Sequence, residues 1–176
     1  MAKIKQHVNR AGTITHRLLG FSRKISAEYD VQINELIKET ISFLENEARS
    51  NNITLNLRLQ EDLPTIKTEG SQVQQVLLNL IENSLDAVGE NGQIEIVSES
   101  KGKEVFILIM DNGPGIKPEV LSRIWEPFFT TKEPGKGTGL GLSICSDIAH
   151  KLGGSILAEN RAQGGARFTL KLPMRS

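Results

Sequence analysis

The chain has 176 residues, 38% of them apolar and 24% charged, a size and make-up that predict one substantial domain plus a short extra element. Lys plus Arg equals Asp plus Glu at 21 each, so nothing in the charge favours nucleic acid or an anionic membrane as the main partner. The only cysteine, Cys145, excludes an internal disulfide and fits a reducing compartment.

Residues 1–25 read as an amphipathic helix, with Ile4, Val8, Ala11, Ile14, Leu18 and Phe21 at three- and four-residue steps. A second helix is predicted over 31–50, with Ile33, Leu36, Ile37, Thr40, Ile41 and Leu44 on one side and Asn51-Asn52 breaking it. Ile53, Leu55, Leu57 and Leu59 alternate with polar residues as a half-buried strand does. Leu63 to Ile66 read as a turn and a short edge strand. Ser71 and Gln74 form a capping-box pattern that opens a helix running to residue 88. Strands follow at 92–99 and 103–110, joined by a Lys101-Gly102 turn.

Residues 111–138 are rich in Gly, Pro, Lys and Thr and read as a long irregular loop, with one short helix at Pro118. A loop of that length in a compact domain is usually functional. A helix over 139–152 buries Cys145, Ile148, Ala149 and Leu152 and stops at Gly153-Gly154. Strands near 155–160 and 166–172 complete the chain. This order predicts an α+β fold, a two-layer α/β sandwich with helices covering a mixed, mostly antiparallel sheet. No apolar run approaches the ~18 residues of a membrane span, and residues 1–25 do not read as a signal-peptide apolar region. The chain as given is expected to be soluble and cytoplasmic, which leaves open a membrane anchor in a longer parent.

Three stretches carry candidate chemistry. The helix at 71–88 has a core face and a second stripe of Gln75, Asn79, Glu82, Asn83 and Asp86. A solvated face is the ordinary reading of such a stripe, but two asparagines at i and i+4 are poor helix formers. Their amide oxygens could face a hard cation together, and neutral amides suit a site where a nucleotide already brings negative charge. Asp111-Asn112-Gly113-Pro114-Gly115-Ile116 follows the apolar strand Val105–Ile109. It reads either as a plain turn or as a carboxylate placed to accept from an exocyclic amine such as that of adenine. Gly135 to Leu142 alternates four glycines and opens a helix, an arrangement that lets backbone amides approach phosphate. It lacks the P-loop spacing. Between these, Trp125, Phe128 and Phe129 are expected to anchor the loop against the domain or a partner helix.

Taken together, residues 75–88, 111–116, 124–132 and 137–142 resemble, in order, the N, G1, F and G2 boxes of the sensor histidine-kinase catalytic domain. That domain belongs to the wider family of type II topoisomerases, mismatch-repair ATPases and large heat-shock chaperones. The resemblance covers residues 30–173. It implies that Asn79 and Asn83 hold Mg²⁺ and the phosphates, with Asp86 nearby. Asp111 would read adenine, with Gly113, Gly115 and Ile116 beside the base. Thr131, Lys132, Gly137, Thr138, Gly139, Leu140 and Gly141 would contact the nucleotide from the lid. Asn79, Glu82 and Lys132 are the implied catalytic residues. In hydrolysing members a water-activating Glu occupies the position of Asn79, so the resemblance favours phosphoryl transfer over hydrolysis.

Residues 9–24 resemble the second helix of the dimerisation and phosphoacceptor hairpin, which divides the chain at 1–27 and 28–176. The family's acceptor is a His followed by an acidic residue, and His7, His16 and His150 all lack that neighbour. The expectation is therefore an ATP- and Mg²⁺-dependent protein-histidine kinase core whose acceptor lies elsewhere. The intact protein would be a homodimer passing phosphate to a response regulator. The alternatives are an ATPase, an anti-sigma-type serine kinase or regulatory nucleotide-binding module, and a non-catalytic scaffold.

Overall fold

The computed structural model describes residues 28–133 and 137–174, so the helix predicted over 1–25 lies outside the described residues. The chain runs through β1 (Tyr29–Val31), α1 (Ile33–Ser50), β2 (Thr54–Leu59), β3 (Ile66–Thr68) and α2 (Gly70–Val88). It continues through β4 (Gln93–Lys101), β5 (Glu104–Asp111), α3 (Gly141–Lys151), β6 (Ser155–Asn160) and β7 (Ala166–Pro173). Five strands form one sheet in the order β2-β4-β5-β7-β6. Only β2 and β4 pair in parallel, and the other neighbours are antiparallel.

Period-two alternation decides the two faces of this sheet. Ile94, Ile96, Val105, Ile107, Ile109, Phe168, Leu170 and Leu172 point inward and are buried. Helices supply the other half of the core, with Ile33, Ile37 and Ile41 from α1 and Val73, Leu77, Leu80 and Ile81 from α2. Cys145, Ile148 and Ala149 of α3 close it. Each large aliphatic side chain so buried contributes about 1.5–3 kcal/mol. Asn34 ties the start of α1 to the sheet, donating to the Gln60 carbonyl at 2.7 Å and accepting from Ser98 Oγ at 2.6 Å. The two-layer α+β class follows as expected.

Three local readings need correction. Tyr29–Val31, just before α1, is a strand that pairs antiparallel with β3 in a separate two-stranded sheet. Three residues carry too little periodicity to be read alone. The capping box at Ser71 does not form. The helix begins two residues earlier, with Glu69 as its N-cap and the Glu69 carbonyl accepting from Gln72 and Val73, and Ser71 lies exposed inside it. Gln72 bonds the Glu69 carboxylate instead. Finally, α3 starts at Gly141 and not at residue 139, because Gly139 has φ +67° and cannot join a right-handed helix.

Candidate functional site

Helical spacing puts Asn79, Glu82, Asn83 and Asp86 on one side of α2, and all four line a cleft of about 590 Å³. Gln75, one turn earlier, is not among its walls. Asn79 is only 7% exposed, so the polar stripe is partly an interior wall. α3 approaches α2 antiparallel. Its last residue, Lys151, pairs with Glu69 at 3.6 Å, while Gly141 in its first turn lies beside the two asparagines. A Cβ on Gly141 would sit 3.8 Å from Asn79 Oδ1 and 4.0 Å from Asn83 Nδ2. The open amides and positive end of α3 therefore face the asparagine pair.

Asp111 ends β5 and is 1% exposed. Its Oδ1 accepts the backbone N–H groups of Gly113 at 2.9 Å and Ala166 at 3.1 Å. Ser84 Oγ approaches Oδ2 at 3.5 Å. Two amides on one oxygen fix the carboxylate, and Oδ2 keeps acceptor capacity for a donor entering the cleft.

Described residues of the segment between β5 and α3 line the cleft, and aromatic contacts anchor that segment. Ile124 is buried, Trp125 meets Phe168 edge-on at 6.4 Å, and the Arg123 guanidinium stacks over Phe129 at 4.6 Å. Phe128 departs from the anchoring expectation: it is 75% exposed with φ +65°. Gly139 packs on its backbone so closely that a Cβ there would lie 2.4 Å from the Phe128 carbonyl carbon. From the same loop Lys132 reaches α2, its Nζ 2.5 Å from Asp86 Oδ2 and 3.4 Å from Asn83 Oδ1.

The cleft thus brings together Asn79, Glu82, Asn83, Asp86, Asp111, Gly115, Ile116, Thr131, Lys132, Gly137, Thr138, Gly139 and Gly141. Gly113 and Leu140 stand behind its walls. Gly113 serves through its N–H on Asp111, and Leu140 caps α3 and accepts from Ser143 Oγ at 3.0 Å. Ile124, Phe129 and Leu142, which lie inside the matched boxes but were not assigned as site residues, and Phe168, which lies outside them, supply apolar walls. Phe168 was accessible only as an inward position of β7.

The cleft's negative charge reaches Glu47 on α1. Partial burial raises its carboxyl above the ordinary value near 4.5, helped by the charges of Glu82 and Asp86. A carboxyl raised on folding penalises the folded state above that raised value and stops doing so below the unfolded one. Much of its side chain is solvent-exposed, so screening keeps the penalty small. Glu47→Gln is expected to raise the thermal midpoint slightly at neutral pH. The advantage should shrink as pH falls toward 4.5, and a pH-independent difference would count against this account.

A sandwich of this topology, with a buried carboxylate at the β5 end and a glycine-rich lid opening α3, defines an ATP-binding catalytic domain. The family model for histidine kinase-, DNA gyrase B-, and HSP90-like ATPases matches residues 68–176. The catalytic domain of histidine kinase ThkA superposes with a TM-score of 0.77 at 39% identity, covering 84% of this chain and 95% of that one. ThkA in complex with the response regulator TrrA gives a TM-score of 0.77 at 33% identity, over 98% of this chain and 49% of that one. Sensor histidine kinase ZraS of Escherichia coli O157:H7 is 37% identical over 144 residues, which are 82% of this chain and 31% of ZraS. The chain belongs to the histidine kinase-, DNA gyrase B- and HSP90-like ATPase family, and within it to the histidine-kinase catalytic domains. It spans a fifth to a third of the length of the curated relatives it matches. Among the described residues no helix is long and apolar enough to cross a membrane.

Proposed function

We propose that this domain binds ATP with Mg²⁺ and donates the γ-phosphoryl group to a histidine outside residues 28–174, for relay to an aspartate of a response regulator. The observation that carries the reading is the convergence in one cleft of the Asp111 carboxylate, the Asn79–Asn83 amide pair and the amino end of α3. Asp111 would accept the exocyclic amine of adenine, while the amides of α3 face the phosphate end.

Asn79 and Asn83 are the residues that would hold Mg²⁺. Their neutral amide oxygens suit an ion whose charge phosphate already balances. Asn83 Oδ1 also faces a cation in this structure, the Lys132 ammonium at 3.4 Å. When bound, Mg²⁺ supplies charge neutralisation of the transferring phosphoryl group. Lys132 contributes a second positive charge by exchanging Asp86 for phosphate oxygen as the lid settles. Asn79 cannot take a proton from water, which favours transfer over hydrolysis. Glu82, also in the cleft, is assigned as the acceptor of the imidazole proton.

His150 is the sole histidine among the described residues, and its Nδ1 lies 2.7 Å from the Ser146 carbonyl. It is nine residues along α3 from Gly141, about 14 Å from the phosphate end. In this reading residues 1–27 belong to the dimerisation hairpin, the catalytic domain starts at residue 28, the intact protein is a homodimer, and it works in the cytoplasm.

Incubation with γ-labelled ATP and Mg²⁺ tests the proposal. Label is expected on a His-Glu-bearing hairpin supplied in trans, with no acid-labile label on His7, His16 or His150. Steady phosphate release lost in Asn79→Ala would overturn it in favour of an ATPase. A further expectation concerns Gly141. Its ordinary contacts of 3.8 Å and longer let Gly141→Ala fold, but the methyl occupies space between the α3 amides and the asparagines. ATP affinity is expected to fall about three- to tenfold, as measured by calorimetry against wild type.

A further inference from the structure

One turn, far away in sequence, holds both ends of the loop that carries Asp111. Between β6 and β7 the chain closes on itself, with Arg161 N–H donating to the Gly165 carbonyl at 2.9 Å and Gly164 N–H to the Arg161 carbonyl at 3.1 Å. Arg161 Nη1 donates to the Asp111 backbone carbonyl at 2.7 Å. Asn160, the last residue of β6, spends its whole carboxamide on Ile116. Its Oδ1 accepts the Ile116 N–H at 2.7 Å, and its Nδ2 donates to the Ile116 carbonyl at 2.6 Å.

Packing closes the same contact. A Cβ on Gly165 would lie 2.0 Å from the Asp111 carbonyl oxygen, and a Cβ on Gly115 would lie 2.8 Å from Asn160 Oδ1. One amide can satisfy both backbone groups of a single residue in only one orientation. Gly115 and Ile116 line the cleft, whereas Asn160 does not. The amide therefore acts on the cleft through the residues it holds.

We propose that Asn160 is a positioning residue for base recognition. It fixes Gly115 and Ile116 against the β6–β7 turn, which sets the part of the cleft wall that these two residues form. This rests on the reading that Asp111 receives adenine. It follows that Asn160 acts on the base and leaves the phosphate end untouched.

The test uses Asn160→Ala and Asn160→Asp in the full chain, with ADP and inorganic pyrophosphate as probes. ADP affinity is expected to fall about five- to thirtyfold in both at neutral pH, from the loss of one or two backbone-directed bonds. Pyrophosphate affinity is expected to stay at the wild-type value. Asn160→Asp keeps the acceptor but sets a carboxylate against the Ile116 carbonyl, and protonation would restore the donor. Its ADP affinity, relative to wild type at each pH, should recover as pH falls toward about 4, the ordinary aspartate range. Arg161 beside it stays charged throughout. Asn160→Ala should show no such recovery. A purely structural role predicts equal losses for ADP and pyrophosphate and no pH dependence in either variant, and that pattern overturns the proposal. Should Asn160→Ala fail to fold, the pH profile of Asn160→Asp decides alone. Asp111→Asn separates the two readings. If it leaves ADP affinity unchanged, the adenine reading fails. If it abolishes binding while both Asn160 variants bind ADP like wild type, only the positioning role fails.

Discussion

Asp111→Asn is expected to lower adenine-nucleotide affinity by about 100-fold or more, the largest binding effect of any single substitution proposed for this domain. The side chain is isosteric and the site is 1% exposed, so the fold should survive while the hydrogen-bond pattern inverts. Asp111 Oδ1 already accepts from Gly113 and Ala166. An asparagine must keep its oxygen on those two donors and so turns its NH₂ group toward the cleft. With adenine placed as proposed, its amine would then meet a donor where it needs an acceptor. A lost bond to a charged acceptor is worth about 1.5–3 kcal/mol, and an unpaired buried donor adds about 1–3 kcal/mol. Calorimetric titration with ADP measures the loss, and wild-type affinity in the variant would remove Asp111 from base recognition.

Asn83→Ala is expected to reduce phosphoryl transfer by about 100-fold, with a smaller effect on nucleotide binding in the absence of metal. Asn83 sits one helical turn from Asn79, and both face the first turn of α3 across a gap of about one methyl group. Removing one amide oxygen of that pair would leave the proposed Mg²⁺ short of a ligand in its near-octahedral geometry. Lys132 also loses one of its two partners on α2 and keeps Asp86. ATP affinity measured with and without Mg²⁺ separates these effects. In wild type Mg²⁺ should strengthen ATP binding, and in the variant the increment should be lost. An undiminished increment would show that Asn83 is no ligand, whatever happens to the rate.

The two expectations differ in how far sequence alone supports them. Asn79 and Asn83 were readable because a helix converts spacing into a shared face without any knowledge of the rest of the fold. The glycine alternation before α3 was readable for a similar reason, since an open backbone at a helix start has few other uses. The α+β class also came from local periodicity, because buried strands and helix faces repeat at two and at 3.6 residues. In the loop, by contrast, Trp125, Phe128 and Phe129 looked alike as a cluster of apolar rings. Trp125 and Phe129 pack, and Phe128 stands in solvent with a left-handed backbone. Nothing local distinguishes them, since the difference is set by where Phe168 and Arg123 lie.

Chemistry at Asp111 shows the same division. Its identity and its place at a strand end were plain in the sequence, and the alternatives of turn and ligand acceptor could both be stated. Apart from the neighbouring Gly113 amide, what orients it comes from residues 27 to 55 positions away. Ser84, Arg161 and Ala166 reach its carboxylate or its backbone only after α2 packs on the sheet and β7 pairs with β5. Asn160 and Ile116 are likewise 44 residues apart. Hydrogen-bond partners of that separation leave no periodic trace, because contact depends on strand order and register and not on spacing. The sequence by itself determined which side chains could bind a nucleotide and on which elements they stand. Only the tertiary structure decided which oxygen of Asp111 faces the cleft, what holds the lid's first turn, and that Lys132 closes on Asp86 and Asn83, since each is a long-range contact made by packing.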